Sequence, residues 1–182
     1  MSKARHLELL ARFSRLVAAD GYAHGLQPVQ WQALQFLARA NRFSRTPKGL
    51  TAWLGQTKGS VSQTIIALEA KGLVARTADS SDRRVVRLEL TPAGCQLLED
   101  LPPPVGAQML EHLDDDDGDR LIALVEAMLL RHLAGTGQQP FGQCQTCRHF
   151  ATLADGRHRC ALLDVELAPA EAEQICIEQE AA

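Results

Sequence analysis

Aromatic residues are scarce in this 182-residue chain, which has five Phe, two Trp and one Tyr. No run of about eighteen apolar residues occurs, which excludes a membrane-spanning helix. The opening residues, Met1-Ser2-Lys3-Ala4-Arg5-His6, lead into an amphipathic pattern and lack the apolar stretch and cleavage site of a signal peptide. A cytoplasmic location is therefore expected. Also missing are a nucleophile–base set, a phosphate-binding loop and paired carboxylates, so nothing in the sequence points to an enzyme. Five cysteines are present; in a reducing compartment they should remain thiols, available to metals.

The formal net charge is only −3, but it conceals a division. Residues 1–40 carry +3, residues 41–90 carry nine basic and four acidic side chains for a net +5, and residues 91–182 carry −11. Concentrated positive charge in one segment is the footprint expected of a phosphate-binding surface. The acidic remainder argues against nucleic acid wrapping around the whole molecule.

Apolar periodicity predicts a helix over residues 3–19, with Leu7, Leu10, Phe13 and Leu16–Val17 on one face. After an interruption from Gly21 to Gly25, a second helix is expected from Pro28 to Ala40. Thr46-Pro47 combines a capping residue with proline at the first helical position and starts a short helix through Trp53–Leu54, ending near Gly55. Thr57 caps the next helix, whose core face is Val61, Ile65 and Leu68 and whose end is Gly72. Two short helices joined by a tight turn form a helix-turn-helix.

Leu73–Thr77 and Val85–Leu90 read as antiparallel strands, with Val86, Leu88 and Leu90 expected on the buried face. The polar connection Ala78–Arg84 forms the tip of the hairpin. Thr91-Pro92 starts another helix over Cys95, Leu97 and Leu98, which the prolines of Leu101–Pro104 break. Helical pattern returns over Val105–Leu113. Asp114–Asp117 precede a strongly apolar helix over Leu121–Leu133 and are read as compensating its N-terminal dipole. Together with the first helix, that apolar face suits a subunit interface.

The fold class expected is mainly α with a small β-wing (α+β): a winged helix-turn-helix at about 27–91 within a body of residues 1–133. Helical dimerisation elements flank the wing. A narrow, polar helix start can enter a DNA major groove, and an arginine-tipped hairpin can reach the backbone or minor groove.

From about residue 27 to 133 the chain resembles the MarR family of bacterial winged-helix repressors. The residues that carry the resemblance are Ser60-Val61-Ser62-Gln63, Leu68-Glu69-Ala70-Lys71-Gly72-Leu73-Val74-Ala75-Arg76, Asp82-Arg83-Arg84 and Leu90-Thr91-Pro92-Ala93-Gly94. The resemblance implies a homodimer on double-stranded DNA with an inverted-repeat operator. It also implies a small-molecule, metal or redox effector acting through dimer geometry. By position it implies that Lys58, Ser60, Ser62, Gln63 and Thr64 face bases and phosphates. Asp82 would brace the wing, and Arg83 or Arg84 would enter the minor groove. Trp31 and Trp53 are expected in the core.

Residues 134–140 have the composition of a linker, and 141–182 form a short module outside the common family body. Its spacing, Cys144-x₂-Cys147-x₁₂-Cys160-x₁₅-Cys176, provides four thiolates for one metal ion or cluster. Phe141, Phe150, Leu153, Leu162–Leu163 and Leu167 make only a very small core, and a segment of about forty residues usually needs a metal or disulfides to fold; in a reducing compartment the metal is favoured. Zinc is placed ahead of a [4Fe-4S] cluster. The single Cys-x₂-Cys pair followed by two isolated cysteines is similar to the spacing of high-potential iron–sulfur proteins. Ile175-Cys176-Ile177, however, stands where that family carries aromatic and glycine–tryptophan features. His149 and His158 are expected at the surface, and Cys95 is expected to be a buried structural thiol. A competing function makes the tail an iron–sulfur electron carrier, with the winged helix serving as a protein-docking surface.

Overall fold

The computed structural model describes residues 3–19, 25–79, 82–100 and 104–180. Residues 20–24, Ser80–Ser81 and 101–103 lie outside this description. They include most of the expected Gly21–Gly25 interruption, the middle of the hairpin tip and most of the proline break. The architecture is mainly helical with small antiparallel sheets.

Seven helices and seven short strands occur among the described residues. Helix α1 spans Lys3–Ala19, α2 Pro28–Arg39, α3 Pro47–Leu54 and α4 Lys58–Ala70. The predicted start signals act as capping bonds. Gly49 N donates to Thr46 Oγ1 at 2.9 Å, and Ser60 N to Thr57 Oγ1 at 3.2 Å, satisfying amides that have no intrahelical acceptor. At the far end of α4, Gly72 takes a left-handed φ of 69°. Its N–H donates to Glu69 O and that of Leu73 to Leu68 O, closing the helix as a Schellman motif and turning the chain into the hairpin.

Strands β1 (Val74–Ala78) and β2 (Val86–Leu90) pair antiparallel, with Val74 opposite Leu90 and Ala78 opposite Val86. Leu88 is fully buried, whereas Val86 is exposed. The expected apolar alternation thus holds only at the root, because the outer half of the hairpin projects beyond the core. Helix α5 (Pro92–Glu99) follows a third threonine cap, Gly94 N donating to Thr91 Oγ1 at 3.1 Å. A side chain at Gly94 would put its Cβ 2.2 Å from Leu73 O, so the helix backbone sits directly on the hairpin. Cys95, one position on, is turned outward and exposed. The expectation of a buried Cys95 is corrected for that reason.

Helix α6 is shorter than predicted, Val105–Leu110, and α7 is longer, Asp115–Thr136. The acidic run forms the cap and first turn of α7: Asp117 N donates to Asp114 Oδ1 at 2.8 Å, and Asp115–Asp117 face the positive end of the helix. At the other end the helix runs through Ala134-Gly135-Thr136 and stops at Gly137 with φ 67°, so the first three residues of the expected linker are helical.

The tail forms strands β3 (Gly142–Gln143), β4 (Phe150–Thr152), β5 (His158–Cys160), β6 (Val165–Leu167) and β7 (Ile175–Cys176). β3 pairs with β7, and β4, β5 and β6 form a three-stranded meander. This tail is not a separate body on a tether. Ile175 and Ile177 belong to the same buried cluster as Leu34, Phe36, Leu50, Leu68 and Leu88. Phe141 packs edge-on against Trp53 at 4.5 Å, and Trp53 in turn stacks on Phe36. Leu162 and Leu163, expected in the module's own core, are exposed.

Because Leu88 joins the hairpin root to this shared core, Leu88→Ala should cost about 2–5 kcal/mol of stability. Urea unfolding should show this as a lower midpoint with an unchanged slope.

Candidate DNA interface and cysteine site

Helix α4 presents Lys58, Ser60, Ser62 and Gln63 on its exposed side. Thr64, predicted with them, is buried at 7% exposure, and its hydroxyl donates to Ser60 O at 3.1 Å. It faces the core side of α4 together with Val61, Ile65 and Leu68, so it is removed from the candidate contacts. The 3.6-residue period places it there, against the contact that the family resemblance implies by position.

At the wing tip, Asp82 accepts from the backbone N–H of Arg84 and from its Nε, both at 3.0 Å. The side-chain bond first, and the backbone bond second, hold the Asp82 carboxyl below the ordinary carboxylate range. Arg84 remains 91% exposed, so the brace fixes its direction and leaves its outer face open. Arg83 is also exposed.

The hairpin has an inner brace that the sequence reading missed. Arg87 pairs with Asp79 at 2.6 Å across the wing. Its Nη1 also donates to Arg42 O and Phe43 O, both at 2.9 Å. The alternation of β2 puts Arg87 on the face opposite Leu88, which by itself indicates only a solvated side chain. Its partners lie eight and about forty-five residues away, beyond the reach of a local pattern.

The four predicted thiols come from three parts of the tail. Cys144 and Cys147 bracket a single 3₁₀ turn, with Cys147 N donating to Cys144 O at 3.0 Å. The β3–β7 pairing sets Gly142 opposite Cys176, beside Cys144. Cys160 enters from β5, opposite Phe150. All four line one small cavity of about 20 Å³, whose other walls include Phe150, Leu162, Leu163 and Leu167. That is room for about one water-sized body. Among the described residues, no group of three or more His, Cys, Asp or Glu side chains is already gathered tightly enough to hold a metal ion. The four-thiol donor set fits such an ion, but the thiols would have to close in to hold it.

Asn41, from the junction of α2 and α3, donates its amide to Cys144 Sγ at 3.2 Å. The hydrogen bond with Cys144 lowers the Cys176 thiol below its ordinary range, against the effect of burial. The same bond, with burial, pushes the Cys144 thiol up. His149, expected at the surface, also lines the cavity and lies 3.6 Å from Glu180.

A much larger cleft of about 1050 Å³ opens between α2, α3 and the C-terminal part of α7. Trp31 and Trp53 both border it. Trp31 is buried as expected, but Trp53 is only half-buried.

Residues 24–85 match the MarR family. The matched segment thus takes in α2, α3, α4, β1 and the connection to β2. The chain is 27% identical over 112 residues to the transcriptional repressor MprA of Escherichia coli K12, covering 60% of this chain and 64% of MprA. The aligned part is therefore slightly under two thirds of that relative's length. The structure of the MepR–DNA complex of S. aureus superposes with TM-score 0.56 at 20% identity, covering 72% of this chain and 99% of MepR. CouR of Rhodococcus jostii RHA1, bound to p-coumaroyl-CoA, gives TM-score 0.56 at 24% identity, over 66% of this chain and 88% of CouR. These likenesses establish the MarR winged-helix fold. More than a quarter of this chain has no counterpart in MepR.

Replacing Arg84 by alanine should let the Asp82 carboxyl rise toward the ordinary carboxylate range, as read by ¹³C NMR of the side chain. Because its folded pKa is depressed, the brace is fully present above the ordinary value. It is lost as pH falls through the lowered one, so the tip should loosen only in acid. An unchanged Asp82 titration in the variant would remove Arg84 as the cause.

Proposed function

We propose that this protein is a dimeric transcriptional regulator that inserts α4 into the DNA major groove, with Arg83 and Arg84 of the wing on the backbone or minor groove. The observation that carries the reading is the braced wing tip, where Asp82 orients an arginine that is otherwise fully presented to solvent. Lys58, Ser60, Ser62 and Gln63 provide the neighbouring polar surface, in the segment of net +5. An electron-carrier reading gives no role to arginines held in this way.

Dimerisation rests on unpartnered apolar faces. Helix α1 has no buried residue, and Leu7, Leu9, Leu10 and Phe13 are exposed along it. Helix α7 exposes Ile122, Leu124, Val125 and Met128, with Leu124 at 71%. A helix of this kind draws most of its stability from packing, so a second copy is the natural cover. The large cleft beside these helices is suited to an apolar or aromatic effector, in the manner of CouR, whose bound ligand is p-coumaroyl-CoA. The role proposed is repression, as in MprA.

For the tail we propose a Cys₄ site holding Zn²⁺ through Cys144, Cys147, Cys160 and Cys176. The cavity's one-ion size supports zinc, and Zn–S bonds of about 2.3 Å would draw the thiols in. A [4Fe-4S] cluster is the second reading. It is favoured by the apolar lining and by the N–H donated from Asn41 to a ligand sulfur.

DNA affinity should fall steeply with added salt, because several Lys and Arg residues per subunit displace counterions. A flat salt response would count against groove binding by this segment. Arg84→Ala should weaken binding by about tenfold or more, an expectation set by the cost of losing a charged hydrogen bond. Leu124→Glu should convert a dimer to monomer in sedimentation. Anaerobically purified protein should be colourless with about one zinc per chain, as expected for a structural site; a brown protein with about four irons would replace zinc by the cluster.

A further inference from the structure

The loop Asn41–Arg45, between α2 and α3, is held on one side by the cysteine-bearing tail and on the other by the wing. Toward the tail, Asn41 N donates to Ile175 O at 2.9 Å and its side-chain amide to Cys144 Sγ at 3.2 Å. Ile177 N donates to Ser44 Oγ at 3.1 Å. Arg42 pairs with Glu171 at 2.5 Å and donates to Glu166 O at 2.7 Å. Toward the wing, Leu88 N donates to Arg45 O at 2.7 Å. Arg87 grips the carbonyls of Arg42 and Phe43 while holding Asp79 at the outer end of β1. Five consecutive residues thus bond to a cysteine ligand at one end and to the base of the DNA-contacting hairpin at the other.

We infer that this loop transmits the state of the cysteine site to the wing, so that loss of the bound metal weakens DNA binding. The inference rests on the proposed DNA-binding and metal-binding roles. Its physical basis is that, beyond Ile175 and Ile177 in the shared core, the tail buries little apolar surface, so four thiolates held on one ion would add materially to its docking. If the tail withdraws, Asn41 and Ser44, each 1% exposed, lose partners in an apolar setting. Buried polar groups left unpaired are costly enough to force the loop into another arrangement. The new arrangement displaces the carbonyls that Arg87 and Leu88 use, and the wing loses its inner brace. By linkage, DNA must then tighten metal binding by the same factor that metal tightens DNA binding.

The test begins by selecting duplexes from random-sequence DNA with the zinc-loaded protein. Affinity for a selected duplex is then measured by fluorescence anisotropy, before and after stripping zinc with a chelator under reductant. Stripping should weaken binding about tenfold or more, within the usual range of such couplings. The selected duplex should raise zinc affinity by a matching factor, read by competition with a chromogenic chelator. Zinc-loaded Glu171→Gln, which loses the Arg42 ion pair far from the groove, should keep its zinc yet bind the duplex about three- to tenfold more weakly. Equal affinity of loaded and stripped protein within twofold overturns the inference alone. If the stripped protein unfolds, full DNA affinity in loaded Glu171→Gln, with no effect of DNA on zinc affinity, overturns it instead. Failure to enrich any duplex, or to retain any metal, overturns the underlying reading and the inference with it.

Discussion

The buried side chain of Asn41 is the constraint on which the rest of the structure depends. Its carboxamide accepts from Ser44 N at 2.8 Å and donates to Cys144 Sγ, so one polar group shapes the α2–α3 turn and anchors the tail to it. An apolar residue there would remove the bond from this turn's side chains to Cys144 Sγ and leave Ser44 N with the Asn41 carbonyl alone, at 3.0 Å; an aspartate would set a charge against the thiols. Around this point the backbone joins in. Ala40 bridges to Ile175, and Ile175 and Ile177 complete the core begun by α2, α3 and α4.

This anchoring changes the meaning of the cysteine module. A tethered tail would leave the helix-turn-helix indifferent to its state. Here the tail touches the start of α3 through Lys48–Glu178, the turn before it through Arg42–Glu171, and the shared core through two isoleucines. The exposed Lys48–Glu178 pair contributes little stability alone, whereas the Arg42 pair ends on a buried Glu171. The buried backbone and amide bonds are the connections that cannot be broken without leaving unpaired polar groups.

The hairpin shows the same division between outer and inner work. Its tip is organised by the short-range Asp82–Arg84 pairing, and its base by Arg87, which reaches Asp79 and two carbonyls of the α2–α3 turn. The tip fixes what the wing presents to a partner. The base fixes where the wing stands relative to α4.

The amino-acid sequence by itself determined the local elements. Three threonine caps, two of them just before prolines, located α3, α4 and α5, and Gly72 ended α4. The apolar period of Val61, Ile65 and Leu68 marked the buried face, and the Asp-Arg-Arg signature marked the wing. The caps, the helix end and the apolar period act within a few residues, so spacing reveals them; the Asp-Arg-Arg signature spoke through the family resemblance. Tertiary structure decided the rest. It turned Thr64 inward and Cys95 outward, kept α7 helical through Thr136, and merged the tail with the winged-helix core. It also joined Asn41 to Cys144 and Arg42 to Glu171 across 103 and 129 residues. Such pairings depend on which surfaces meet when the chain closes on itself, and no periodicity or short motif records them.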